Sequence, residues 1–306
     1  MSPESRGYYF DLSDELENNG NLHRRVISQY ETQTKRALLV YHSNLNHPGG
    51  LMLPHDALSL EGMCGSLDFA AYPDGVDLYV HTNGGLPEVS ARMLRSLRVR
   101  AKHVRVVVPN QALSAGTLLA IGADEIVLGP AACLGPIDPQ MVRGTPNGPP
   151  VQRAAKIYID AYEALVKQAQ DAMAGGKFPH PYLQQLQQQD DSFVMECRRA
   201  RDATRRLATD FLREGMMKGS PAEKITEAVE KLIKYGDEGT HGTPIYGPKA
   251  REMGLVVSDF ADTDEAWRTL RVLFARLDPY VNGRGLAKYL ACRHGGFDVR
   301  IQVANG

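Results

Sequence analysis

The chain has 306 residues, and its 35 Lys plus Arg nearly cancel 36 Asp plus Glu for a formal net charge of -1. Hydrophobic residues at 43% and charged residues at 23% are the proportions of an ordinary globular protein with a core, which excludes disordered, collagen-like and rod-like classes. The neutral balance does not call for a nucleic-acid-binding surface, although it leaves room for a local basic patch, and no run approaches the ~18 apolar residues that a membrane span needs.

The first residues, MSPESRGYYFDLSDELENNG, lack a basic stretch followed by an apolar one, so no secretory signal is expected and a cytoplasmic location is. Cys64, Cys133, Cys197 and Cys292 lie far apart without a CxxC pair, and read as reduced thiols rather than a disulfide framework or zinc site. His42, His47 and His55 have no recognised metal-ligand spacing, so no metal is expected.

From Ala37 to Gln140 strands and helices alternate. Ala37–Ser43 is a short apolar strand, and Pro54–Leu67 a helix opened by its proline. Val76–Thr82 is a second strand, stopped at Asn83-Gly84-Gly85. Pro87–Arg98 is an amphipathic helix with Val89, Met93 and Leu97 on one face. His103–Pro109 is a third strand, Ser114–Asp124 a helix of small residues, and Glu125–Pro130 a fourth strand. Alternation with such short connections implies a parallel sheet covered by helices, so the fold class is α/β.

After Gln140 the character changes. Val142–Pro150 reads as a turn-rich hinge or mobile loop, and Val151–Ala174 as a long helix. Pro179–Met217, rich in Gln and Arg, predicts one or two solvated helices with charges paired along an exposed face. Pro221–Tyr235 is amphipathic through Ile225, Val229 and Leu232, and Asp262–Leu277 is a last amphipathic helix carrying Trp267. No internal repeat is visible.

Two motifs bear chemistry. Gly84 and Gly85 end a strand, where a glycine backbone can turn its N–H groups toward a ligand. Ser114-Ala115-Gly116 stands at a strand-to-helix turn, where unpaired N–H groups and the helix dipole favour negative charge. Strand ends of an open parallel sheet are where ligands bind. A nucleophile beside an oxyanion hole is the arrangement that acyl transfer requires. The plainer reading is a turn and a helix cap.

The string HTNGG…VPNQALSAGTLLAIGADEIVLGPAACLGPIDPQ, residues His81–Gln140, resembles the core of the Clp-protease/crotonase superfamily. It is most similar to the serine dehydrogenase proteinase family, relatives of signal peptide peptidase A and the Clp proteolytic subunit. Thr240–Val257 resembles that family's closing loop, helix and strand. The resemblance implies a ClpP/crotonase-like spiral of β-β-α units with a helical elaboration. It also implies a Ser114–Asp138–His241 triad in which His241 takes the Ser114 proton and Asp138 orients the imidazole. Gly84, Gly85 and Ala115 would donate oxyanion N–H groups.

A signal peptide peptidase A type of dyad would instead use Lys156 or Lys167 as the base, and His81, beside the glycines, is a further candidate. Crotonase-type acyl-CoA chemistry and a non-catalytic assembly protein are the other readings; Ser114 at the nucleophile turn favours a peptidase over a crotonase. The expected activity is serine-dependent peptide hydrolysis through an acyl-enzyme, on a peptide or protein substrate, with no cofactor. The resemblance further implies a homo-oligomer using the Asp262–Leu277 helix. The expected organisation is an N-terminal segment 1–36, core 37–175, helical insertion 176–236, a second piece of core 237–261, and a C-terminal helix and tail 262–306.

Overall fold

Unbroken apolar runs, rather than alternating ones, mark strands that are covered on both faces. In the computed structural model, which describes residues 20–145, 148–238 and 240–301, the runs at Ala37–Ser43 and Val76–His81 are buried along their whole length. Residues 1–19 of the expected N-terminal segment, 146–147 of the expected hinge, Gly239 and the tail 302–306 lie outside the described residues.

The strands among the described residues are β1 (Ala37–Ser43), β2 (Val76–His81), β3 (Val104–Val108), β4 (Gln111–Ala112), β5 (Glu125–Leu128), β6 (Cys133–Leu134), β7 (Gln140–Thr145), β8 (Gly148–Ala154), β9 (Val257–Asp259), β10 (Lys288–Cys292) and β11 (Gly295–Val299). The helices are α1 (Gly20–Thr34), α2 (Pro54–Gly65), α3 (Pro87–Arg98), α4 (Ala115–Ile121), α5 (Ala155–Ala174), α6 (His180–Gln187), α7 (Asp191–Glu214), α8 (Ala222–Glu238), α9 (Gly247–Glu252) and α10 (Glu265–Gly283). A seven-stranded sheet runs β11-β10-β1-β2-β3-β5-β9, parallel from β1 to β9. Short strands β4 and β6 pair in parallel above it, so β3–β4–α4 forms the β-β-α unit of a ClpP-like α/β fold.

One face of the sheet packs against α2, α3, α4, α8 and the inner side of α7. The other packs against α1 and α10 through Ile27, Tyr30, Trp267, Leu270, Leu273 and Leu277. Helix α1 has no counterpart in the sequence reading. The stripe of α3 comes out as its spacing predicts, with Val89, Met93 and Leu97 all buried.

Three expectations are corrected. The Gly/Pro-rich stretch after Gln140 is not a loop but a hairpin, β7 pairing antiparallel with β8, so α5 starts at Ala155 rather than Val151. The Arg-rich segment is not wholly solvated: Ala208, Phe211 and Leu212 of α7 enter the main core while Arg199, Arg206 and Arg213 stay exposed. The C-terminal segment is not a tail after its helix, because β10 pairs antiparallel with β1 and extends the central sheet. The apolar side of α10 is therefore consumed within the chain. No described helix is long and apolar enough to cross a membrane.

Candidate active site

Ser114 links β4 to α4 with φ 53° and ψ -116°, and with Lys35 it is one of two described non-glycine residues at positive φ. A side chain is held there only where its surroundings over-determine it, at a cost of about 1–3 kcal/mol. Here they do. Gly116 N donates to Leu113 O at 2.8 Å, Leu118 N to Ser114 O at 3.0 Å, and the Ser90 hydroxyl to Ala115 O at 2.6 Å. The Ser114 side chain is half-buried and makes no capping hydrogen bond, so its hydroxyl is available.

The glycine turn lies against this serine. A Cβ on Gly84 would stand 2.8 Å from Ser114 Cβ and 2.9 Å from Ala115 N, and Gly84 has φ +100° besides. Gly85 approaches Met52 as closely, and the turn is clamped there by Met52 N donating to Gly84 O at 2.7 Å and Leu86 N to Met52 O at 3.1 Å. The Gly84 N–H, expected as an oxyanion donor, donates to Thr82 Oγ1 at 3.0 Å in this structure, while the bare Gly84 Cα lets the two backbones touch. The N–H groups of Gly85 and Ala115 make no hydrogen bond among the described residues.

Asp138 reaches the site through β6. Gly135 packs on Leu113, its imagined Cβ 3.0 Å from Leu113 Cδ2, and Thr117 Oγ1 donates to Gly135 O at 2.9 Å. The chain carrying Asp138 thus leaves from beside the residue that precedes Ser114. Across β6, Ile245 pairs with Leu134 through bonds of 2.9 and 2.8 Å, which fixes the segment carrying His241 next to the segment carrying Asp138. His241 itself sits on a turn closed by Thr243 N donating to Thr240 O at 2.9 Å.

The outcome is a 2.9 Å hydrogen bond between His241 Nδ1 and Asp138 Oδ1. Asp138 is 2% exposed, and its other oxygen accepts from Gln140 Nε2 at 2.6 Å. With Oδ2 occupied and burial enforcing one orientation, the carboxylate presents Oδ1 to the imidazole. That bond places the proton on Nδ1 and leaves Nε2 as the basic nitrogen. The Asp138–His241 pair forms, but no hydrogen bond joins it to Ser114, so the triad is not closed.

The other candidate bases are placed differently. Lys156 is 36% exposed and pairs with Asp160 at 2.5 Å one turn along α5. Lys167 is exposed on the same helix. Neither has the burial by which a lysine becomes a base near neutral pH. His81 is buried on the α10 face of the sheet, where desolvation, aided by His42, pulls its pKa down to about 3.

Two contributors are invisible to the sequence reading. A Cβ on Gly236 of α8 would stand 2.3 Å from Asp138 Oδ1, so only glycine leaves room for this carboxylate. Arg201 of α7 grips the adjacent Asp237 with two bonds of 2.9 Å, and the Tyr235 hydroxyl donates to Pro244 O at 3.2 Å. The Arg-rich helix thereby holds the backing of the Asp138–His241 pair. An isolated glycine within a helical pattern was the available signal for Gly236.

A ClpP-like α/β fold with an accessible serine on a strained strand-to-helix turn defines the class. Residues 67–158 match the family described as ClpP-like SDH-type serine proteinase, which bears out the resemblance read from the sequence over that segment. An uncharacterized protein of Methanocaldococcus jannaschii is 27% identical over 188 residues, covering 60% of this chain and 53% of that protein. A second uncharacterized protein of the same organism is 39% identical over 66 residues, covering 22% of this chain and 23% of its own length. The chain thus spans about half or less of the curated relatives it matches. Among solved structures, a serine-to-alanine mutant of the membrane-bound stomatin-specific protease 1510-N is 16% identical, with a TM-score of 0.28, covering 43% of this chain and 63% of that one.

Proposed function

We propose that this chain is a serine peptidase that cleaves peptide bonds through an acyl-enzyme. The observation that carries the reading is the Asp138–His241 hydrogen bond, which joins residues 103 positions apart in the two segments that pair across β6. In this mechanism Ser114 Oγ attacks the scissile carbonyl carbon while His241 Nε2 takes its proton. Asp138 holds the imidazole in the Nδ1–H tautomer and stabilises its charged form. The oxyanion of the tetrahedral intermediate accepts hydrogen bonds from the Gly85 and Ala115 N–H groups at the N-terminus of α4, where the dipole also favours negative charge. His241 then donates its proton to the leaving amine, and water repeats the sequence to release the acyl group.

An open Ser114–His241 gap is compatible with this, because catalytic hydrogen bonds of an unliganded enzyme tighten when substrate binds. The substrate class is an extended peptide, held at the strand ends by backbone pairing. Assembly into a homo-oligomer belongs to the same proposal, through the outward face of α10 around Arg268, Arg271 and Val272.

A fluorophosphonate probe tests the reading. Stoichiometric labelling of the wild type, abolished in Ser114→Ala, is expected. A folded, assembled wild-type protein that takes up no label overturns it in favour of acyl-CoA binding or a non-catalytic role.

A further inference from the structure

The α10 face of the sheet holds a cluster that the peptidase reading leaves unused. His42 is the penultimate residue of β1, His81 ends β2, and the two are register partners with ring centroids 4.6 Å apart. Asp278 of α10 reaches the same point, its Oδ1 3.8 Å from His42 Nε2. One donor atom from each of the three residues lies within 4.8 Å of the others.

The histidines are not satisfied where they stand. His42 is fully buried and His81 is 2% exposed. His42 Nδ1 meets the Tyr79 hydroxyl at 3.1 Å, but His42 Nε2 and His81 Nδ1 are buried with no hydrogen-bond partner among the described residues. An unpaired buried polar atom forfeits its hydration without replacement. Two of them side by side, with a carboxylate across from them, call for a cation rather than for another donor.

We propose that His42, His81 and Asp278 bind one divalent transition-metal ion of the zinc class. Two imidazoles and a carboxylate are borderline donors of the kind that zinc, cobalt and nickel accept, and a water completes a four-coordinate set. Donors bonded to zinc at about 2.0–2.1 Å stand roughly 3.3 Å apart in a tetrahedron. The 3.8 Å separation of His42 and Asp278 closes to that by rotation of the Asp278 side chain, which is 42% exposed. With the ion on Nε2, His42 donates its Nδ1–H to Tyr79 Oη, the outer partner that fixes tautomer and ring orientation. Pro279 follows Asp278 and removes one intrahelical donor there, which loosens the helix at the ligand.

The ion would tie α10 to the ends of β1 and β2, and His81 is followed directly by the Thr82–Gly85 turn. Its place opposite Ser114 makes it structural rather than catalytic. Sequence spacing conceals the site, since residues 42, 81 and 278 converge only through strand register and the return of α10.

The test uses the full chain, stripped with a chelator, exchanged into Zn²⁺ or Co²⁺ and desalted. One ion per chain is expected by elemental analysis, with the visible bands of four-coordinate Co²⁺ and a raised melting temperature. Asp278→Asn, altering a half-exposed helical side chain, retains its circular dichroism and loses the ion, and His81→Gln does likewise. Tyr79→Phe weakens binding roughly 10–100-fold. Failure of the wild type to retain metal, or equal retention by the wild type and Asp278→Asn, overturns the proposal. Fluorophosphonate labelling separates this result from the peptidase reading, because stripped protein still carries Ser114.

Discussion

His241 Nδ1 and Asp138 Oδ1 lie 2.9 Å apart, and this one bond determines which imidazole nitrogen is free. Exchanging the carboxylate for an amide removes that control. Asp138→Asn can donate to Nδ1, leaving the proton on Nε2, where it cannot accept from serine. A fall in kcat of about 10³–10⁴ is expected, with Ser114→Ala and His241→Ala at least as severe. Lys156→Ala and Lys167→Ala stay within a few-fold of wild type. Rates of phosphonylation by a fluorophosphonate, in which Ser114 displaces fluoride at phosphorus, compare all five, and undiminished reactivity of His241→Ala removes the imidazole from the mechanism.

Gly236 is expected to behave as a site residue although its own backbone does no chemistry. Its nearest neighbour is Asp138 Oδ1, at 2.3 Å from an added Cβ, so Gly236→Ala must displace either the carboxylate or α8. Overpacking of this kind costs about 1–3 kcal/mol. The melting temperature drops, and activity drops further than stability explains, because the Asp138–His241 bond is what yields. A Gly236→Ala enzyme with normal kcat and normal melting would show that α8 does not confine Asp138.

The sequence already disclosed the parallel core, because buried strands such as Ala37–Ser43 are continuous apolar runs and helices such as Pro87–Arg98 keep a 3.6-residue stripe. Ser114 and the glycine turn were legible as local motifs. Asp138 and His241 were legible only through family resemblance, since nothing local marks a Pro-flanked Asp or a loop His as partners. What stayed hidden is long-range. The β10–β11 hairpin extends the sheet from the far end of the chain, Gly236 is defined by what passes behind it, and Arg201 looks like any solvated arginine until Asp237 is in place. The hairpin β7–β8 was hidden for another reason: its Gly and Pro content reads as a loop, and register alone reveals it.

Gly84 separates two roles that a single oxyanion label would merge. Its N–H is held by Thr82, while its bare Cα permits the contact with Ser114 and Ala115. Gly84→Ala introduces both a clash and a strained φ of +100°, and loss of fluorophosphonate labelling is expected even in folded protein. Thr82→Val removes the Thr82–Gly84 bond together with the weaker 3.5 Å bond from Ser43 Oγ, and leaves the Met52 clamp on the turn in place. A smaller loss is expected, roughly tenfold, the size of about 1.4 kcal/mol. Equal defects in the two variants would mean that the Gly84 N–H itself serves the oxyanion.

His23 supplies a pH dependence that lies away from the site. On α1 it is buried against Tyr289 of β10 at 3.3 Å and the ring of Tyr280 of α10, and desolvation lowers its pKa to about 4 from an ordinary 6.5. Arg276, His42 and Arg284 push in the same direction, and Asp298 opposes them. As pH falls below 6.5 the unfolded chain takes a proton that the folded chain refuses until about 4, so stability declines across that window and not above it. The full decline from this group is on the order of 3 kcal/mol. Urea unfolding at pH 7 and pH 4.5 measures it. His23→Phe keeps the ring contacts and titrates nothing, so its stability changes less between the two pH values than that of the wild type. An identical change in both proteins would place the acid sensitivity elsewhere.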